Sequence, residues 1–158
     1  MEKYLTLLQV FLAGAIAWLS DRLGILFPML GLLCALMIVD YFTGMAASKT
    51  EAIDHPGDPA YGWNSTKGAK GILKKFGYLC VTAAAIVLDY VIMVAAGQLG
   101  FEIRRSVFFG LLVAAWYILN ELLSITENAG RMGAPVPKWL VKYIAVLKSK
   151  IDEKGSEE

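Results

Sequence analysis

Residues 120–138 read NELLSITENAGRMGAPVPK, and they directly follow an almost unbroken apolar run over residues 107–119. Acidic and amide side chains are costly to bury at the end of a membrane-length helix. Ionisable groups persist at membrane depth mainly where they face other helices or a wet path. The stretch therefore predicts a transmembrane helix whose last turns carry function. The glycines and prolines of segment 130–137 are expected to end that helix.

The composition is that of a membrane protein. The chain has 158 residues, of which 57% are hydrophobic, and a mean hydropathy of +0.55. Ordinary soluble domains hold about 45–50% apolar residues. The net charge is only +1, so no overall field favours a nucleic acid as partner. The lipid bilayer is the partner that this composition predicts.

Several apolar runs approach or exceed the roughly 20 residues that a helix needs to cross a bilayer. The predicted fold is an all-α membrane protein, a bundle of four transmembrane helices plus a basic amphipathic helix at the C-terminus. The first span is short for a bilayer, and it is predicted as marginal. The predicted spans are residues 4–19, 24–47, 76–97 and 107–125, with a polar loop over 48–75.

The chain divides at Pro137 into a membrane domain, 1–137, and a cytoplasmic tail, 138–158. Apolar residues recur at helical spacing in the tail among lysines and aromatic rings, which is typical of a helix lying on a membrane surface. A solvated tail helix is the alternative. The lysines predicted at the membrane surface are Lys70, Lys74, Lys75, Lys138, Lys142 and Lys148.

The basic residues also predict the orientation. With four spans, Arg22, Arg104 and Arg105 lie on one side of the membrane and the other 12 of the 15 lysines and arginines lie on the opposite side. The positive-inside rule then places both termini in the cytoplasm.

Four polar residues inside the spans are candidates for lining a pore or for pairing between helices: Asp40, Asp89, Asn120 and Glu121. Two interpretations of their acids remain open. Inside a closed bundle they pair or take up a proton, and in an assembly they line a wet lumen. The candidates for the exit turn or a gate are Glu127, Asn128, Arg131, Pro135 and Pro137.

Small residues four apart lie on one face of a helix and let helix backbones approach closely. Three of the four spans contain such a pair, which favours tight packing within or between subunits. The pairs are Ala13 and Ala17, Gly31 and Ala35, and Gly110 and Ala114.

The sequence does not predict an enzyme. It has no HExxH, no GxSxG and no phosphate-binding glycine loop. Cys34 and Cys80 lie inside apolar runs without metal-type spacing, and His55, the only histidine, lies in a polar loop beside aspartates. No catalytic residue, metal or cofactor is predicted.

The stretch that opens this section resembles the phage-lysis and toxin-secretion holins. These proteins carry an Asn-Glu, Ser-Ile-x-Glu-Asn segment that runs into a Gly-Arg-x-Gly-x-Pro-x-Pro-Lys turn. The matching residues here are Asn120, Glu121, Ser124, Ile125, Glu127, Asn128, Gly130, Arg131, Gly133, Pro135, Pro137 and Lys138. Asp40-Tyr41-Phe42-Thr43-Gly44 and Lys70-Gly71-Ile72-Leu73-Lys74-Lys75 are weaker marks, and together the three cover about residues 25–145.

The resemblance implies a homo-oligomer that opens a lesion or pore in the membrane and releases a phage endolysin or a protein toxin. Two alternatives remain. One is a small ion channel or transporter that uses the carboxylates inside the membrane. The other is a non-conducting membrane scaffold or holin antagonist.

Overall fold

The described residues form a bundle of five helices. The computed structural model describes residues 1–101 and 107–156, with side chains as far as Glu153. Arg104 and Arg105, which enter the charge argument, lie outside the described residues. The helices are α1 (Glu2–Leu23), α2 (Leu26–Asp54), α3 (Ser65–Gln98), α4 (Phe108–Arg131) and α5 (Lys138–Ser156).

The helices α1 to α4 are long and apolar enough to cross a membrane. This result confirms the predicted all-α class and the four spans. Large apolar side chains are exposed along α1 to α4, among them Phe11, Ile38 and Val87. Exposure on this scale is typical of a surface that faces lipid.

The break between α1 and α2 is Gly24-Ile25, whereas the predicted spans 4–19 and 24–47 and the polar residues 20–22 between them place the turn earlier. Gly24 adopts φ +52° and ψ −127°, a left-handed backbone conformation that glycine accepts without steric cost. Residues 20–22 continue α1 because none of them forces the backbone out of a helix. The glycine, rather than the loss of hydrophobicity, sets the turn.

The predicted loop over residues 48–75 is wrong in its extent. Helix α2 continues to Asp54, and α3 already begins at Ser65, where the Asn64 side chain accepts a hydrogen bond of 2.8 Å from the Lys67 amide. Hydropathy reports where apolar surface ends, whereas a helix ends where capping or breaking residues occur. Only residues 55–64 connect the two helices.

Helix α4 lies at the centre of the bundle. It packs against α2, α3 and α5, whereas α1 packs against α2 alone among the described helices. The buried core consists of Leu33 and Met37 from α2 with Tyr117 and Ile118 from α4. The Tyr78 ring of α3 stacks on the Tyr117 ring at 4.0 Å between centroids. The residues of α4 therefore decide how the other helices are placed.

Helix α5 folds back along α4 and runs antiparallel to it. Lys148 contacts Asn120, and Asp152 contacts Trp116, so a step forward in α5 matches a step backward in α4. Ile144 is the apolar anchor of this contact, with 6% of its surface exposed. The helix has the predicted amphipathic pattern, but its apolar face meets α4 of the same chain.

Candidate functional site

The central feature of the bundle is a buried cluster of charges between three helices. The Lys75 ammonium of α3 donates to Asp40 Oδ2 of α2 at 2.8 Å and also to Glu121 Oε2 of α4. The Glu121 side chain is 3% exposed, and those of Lys75 and Asp40 are 14% and 16% exposed. One cation therefore holds two acids from different helices in a poorly hydrated place, where pairing offsets the cost of desolvation.

Asn128 extends the cluster by two turns of α4. Its Nδ2 donates to Asp40 Oδ1 at 3.0 Å and to Thr43 Oγ1 at 3.2 Å. Because Glu121 and Asn128 are seven residues apart, they lie on the same face of α4. A Cβ added to Gly44 would lie 3.5 Å from Asn128 Nδ2, an ordinary van der Waals contact, so Gly44 lies directly against the amide.

Arg131 joins the cluster to the end of the bundle. Its Nη1 donates to Asn128 Oδ1 at 2.9 Å, while Nε and Nη2 donate to the two oxygens of Glu51, each at 2.8 Å. Glu51 lies beyond the predicted span 24–47. The hydrogen bonds from Arg131 hold the pKa of the Glu51 carboxyl below its ordinary value of 4.5. A two-pronged pair of this kind fixes geometry as well as charge.

These contacts form one continuous polar chain through the bundle. We define the polar chain by its members, Glu121, Lys75, Asp40, Asn128, Arg131 and Glu51. It contains three carboxylates and two cations. The three segments that carry the family resemblance meet here, since each supplies members. Residues distant in sequence thus build one site.

Asn120 belongs to a second polar contact, on the side of α4 that faces α5. Its Nδ2 donates to the Tyr78 hydroxyl at 2.8 Å, and Lys148 donates to its Oδ1 at 2.9 Å. The same ammonium lies 4.6 Å from the centroid of the Trp116 ring, whose Nε1 donates to Asp152 at 2.6 Å. Neighbouring Asn120 and Glu121 therefore serve different helix contacts.

Asp89 lies apart from the polar chain and caps α4. Its two carboxylate oxygens accept hydrogen bonds from the Phe109 and Gly110 amides at 2.9 and 2.8 Å. These amides belong to the first turn of α4, which has no partners within its own helix, and an anion is favoured there. Asp89 is 5% exposed. Asp40 and Glu121 therefore meet at Lys75 in one protomer, whereas Asp89 contacts the start of α4.

The three pairs of small residues divide between the inside and the outside of the bundle. Gly110 and Ala114 are buried, and a Cβ at Gly110 would lie 3.0 Å from side-chain atoms of Ile86 and Leu26. The other two pairs face outward, with open space around Gly31. The outward residues are Ala13, Ala17, Gly31 and Ala35.

The lysines predicted at the membrane surface also divide. Lys75 points into the bundle, which corrects its assignment to the surface, and Lys148 is partly buried against Asn120. Both lysines donate hydrogen bonds to side chains of α4, Lys75 to Glu121 and Lys148 to Asn120, which the sequence alone does not predict. The exposed ones are Lys70, Lys74, Lys138 and Lys142.

The exit-turn candidates lie where α4 ends. Arg131 is the last residue of α4, so the helix ends inside the expected segment 130–137. Glu127 and the two prolines are exposed, whereas Asn128 is buried in the polar chain. The sequence-based interpretation missed Glu51 because it assigned residues 48–54 to a loop. The spacing of 11 residues from Asp40, about three helical turns, is the signal that places both on one face of α2.

Four membrane-length helices with a partly buried polar chain between them define a multi-pass helical membrane protein. Residues 17–149 match the model of the bacteriophage holin family, and the chain belongs to that family. The resemblance inferred from the sequence is thereby confirmed.

The chain also has uncharacterized relatives among bacterial proteins. The chain is 38% identical to the uncharacterized protein BH0965 of Halalkalibacterium halodurans, over 94% of this chain and 96% of the relative. It is 30% identical to the uncharacterized protein Lmo0128 of Listeria monocytogenes, over 92% and 93% respectively. An uncharacterized 14.9 kDa protein encoded in the nagH 3' region of Clostridium perfringens is 33% identical over 54% of this chain. No solved structure matches the chain significantly.

Proposed function

We propose that this holin assembles in the bacterial inner membrane, with both termini in the cytoplasm, and opens a lesion that releases an endolysin or a protein toxin. Family membership supports the general activity. The observation that carries the proposal for this chain is the polar chain, which is paired within one protomer between three membrane-length helices.

The balance of charge in the polar chain suggests how assembly and opening are linked. With all groups ionised, the polar chain holds three carboxylates and two cations, so its own members carry one net negative charge, and the Lys74 ammonium outside it also attracts Glu121 and Asp40. Such a charge is costly in hydrocarbon and gains free energy when water reaches it. A single protomer is tolerated in lipid while the polar chain keeps its internal contacts. A wet cavity between protomers hydrates the polar chain and so stabilises the open state.

The faces that bring protomers together are those that the bundle leaves uncovered. Helix α1 has no buried residue, and the small-residue pairs of α1 and α2, Ala13 with Ala17 and Gly31 with Ala35, face outward. Helices with small residues on one face associate closely in lipid. We assign subunit packing to these faces, because the small residues of α4 are used inside the protomer.

Leakage from liposomes tests the proposal. Vesicles loaded with a small dye and with a protein-sized dextran are expected to release both after the purified protein is added. Glu121→Leu and Asp40→Leu are expected to change the release at least severalfold, because each removes an acid from the polar chain. Glu2→Leu, which changes an exposed acid on α1, is the matched control. A protein that stays monomeric and releases neither marker contradicts the proposal and favours a non-conducting scaffold or antagonist.

A small ion channel is the second candidate, because the polar chain is continuous within a single protomer. A channel of that kind passes ions and excludes dextran, whereas a holin lesion passes both. Release of the small solute alone, by a protein of fixed stoichiometry, would select the channel.

A further inference from the structure

A cleft of about 400 Å³ lies between α1 and α3, beside the start of α4. Its walls include Trp18, Arg22 and Leu23 from α1, and Ile86, Tyr90 and Met93 from α3. Because α1 packs against α2 alone among the described helices, no described segment of the chain fills this space.

The cleft lies where several helices end. Helix α1 ends at Leu23, α2 begins at Leu26 and α4 begins at Phe108 at this level, whereas α3 continues to Gln98. Trp18 and Tyr90 are 60% and 63% exposed beside it. Trp and Tyr side chains concentrate at membrane–water interfaces, where one end of the ring is apolar and the other is wet. The cleft therefore opens at the level of lipid headgroups.

The cleft has an apolar part and a charged part, as a phospholipid does. The Ile86, Met93 and Leu23 side chains form an apolar wall, and an empty space against such a wall would forfeit dispersion contacts. The Arg22 guanidinium, which lies 5.7 Å from the centroid of the Trp18 ring, supplies a cation at the rim. Asp89 also lines the cleft, but both of its oxygens accept hydrogen bonds from amides of α4.

We propose that this cleft binds a glycerophospholipid, with an acyl chain between α1 and α3 and the phosphate against Arg22. A guanidinium donates two parallel hydrogen bonds to a phosphate, which makes arginine well suited to this role. The bound lipid would join α1 to the rest of the bundle by filling the gap between them. This proposal concerns a lipid site and is independent of whether the protein forms a pore.

Thermal unfolding of the full chain in detergent tests the site. At a hundredfold excess over Kd, phosphatidylglycerol is expected to raise Tm by about 5 °C or more, since a ligand that binds only the folded state stabilises it. Arg22→Gln is expected to abolish most of this shift. Lys3→Gln, which changes an exposed cation near the other end of α1, is expected to keep it. Diacylglycerol, which lacks the phosphate, and inorganic phosphate alone are both expected to give little or no shift.

Quenching of tryptophan fluorescence locates the lipid. Phosphatidylglycerol with a brominated acyl chain is expected to quench the Trp18 signal, measured as the difference between the wild type and Trp18→Phe. Met93→Trp, which fills the cleft, is expected to reduce the Tm shift caused by the lipid. Equal Tm shifts with phosphatidylglycerol and diacylglycerol, or an Arg22→Gln protein that responds as the wild type does, would overturn the proposal.

Discussion

The Lys75 ammonium lies 2.8 Å from Asp40 Oδ2 and contacts Glu121 as well, so one side chain of α3 links α2 to α4. Lys75→Met leaves the buried Glu121 and the partly exposed Asp40 without the cation that they share. Removal of one partner of a buried ion pair costs about 3–5 kcal/mol, and the partial exposure of Asp40 places the expected loss near the lower end. The free energy of unfolding in detergent measures it. Adding Glu121→Gln to Lys75→Met is expected to recover part of the lost free energy of unfolding. A double variant that is no more stable than Lys75→Met alone contradicts the assigned pairing.

Asp89 is expected to act on stability through the start of α4. Asp89→Ala leaves the Phe109 and Gly110 amides without their acceptor, and loss of a helix cap costs about 1–2 kcal/mol. Asp89→Asn keeps an acceptor and is expected to lose less. Thermal unfolding distinguishes the two variants. If Asp89→Ala changes the ion selectivity of leakage and leaves Tm unaltered, Asp89 lines a lumen instead.

A methyl group at Gly110 is expected to force the Ile86 and Leu26 side chains to shift by a few tenths of an ångström. A Cβ at this position would meet Ile86 and Leu26 at 3.0 Å, and overpacking in a filled core costs about 1–3 kcal/mol. Gly31→Ala is the matched control, because open space surrounds Gly31 and alanine favours a helix by about 1 kcal/mol. We expect Gly110→Ala to unfold at a lower temperature than Gly31→Ala. Equal Tm values would show that α3 and α4 are not in close contact here.

The ion pair between Glu51 and Arg131 is expected to weaken in acid. The hydrogen bonds from Arg131 lower the pKa of Glu51 in the folded protein, so the pair stabilises the fold at pH above the ordinary value of 4.5. That contribution is lost as the pH falls through the lower folded-state pKa. The difference in Tm between the wild type and Glu51→Gln should therefore be largest above about pH 5 and shrink at lower pH. A difference that grows on acidification contradicts the pairing.

The contact between α5 and α4 is expected to depend on Lys148. Lys148→Met removes the hydrogen bond to Asn120 and the contact with the Trp116 ring, at a cost of about 1 kcal/mol. Lys142→Met, on an exposed face of the same helix, is the control. Limited proteolysis measures the release of α5. Equal cleavage rates in both variants would contradict docking through Lys148.

The four spans could be predicted from the sequence because apolar length is a direct record of the bilayer. The helix ends at Asp54 and Ser65 could not be predicted from hydropathy, since both lie in polar sequence. For the same reason the sequence did not indicate Glu51 as a site residue. The stop after Arg131 was predictable because glycine and proline act on the backbone itself.

The sequence predicted most residues of the candidate site but not which residues contact each other. Asp40, Asn120, Glu121 and Asn128 stand out as polar residues in or beside apolar spans. Their partners depend on how each helix is rotated about its axis, which one sequence does not specify. Asn120 and Glu121 illustrate the point, because a rotation of about 100° between neighbouring residues sends one toward α5 and the other toward Lys75.

Helices α2 and α4 are fastened to each other at two distant points. Near one end Leu26 lies against Gly110, and near the other Glu51 holds Arg131. Two helices that are held together near both ends cannot separate at one end by pivoting at the other, because this motion would break the contact at the separating end. The two attachments resist separation of α2 from α4, so we expect the proposed lesion to open along the boundaries between neighbouring molecules.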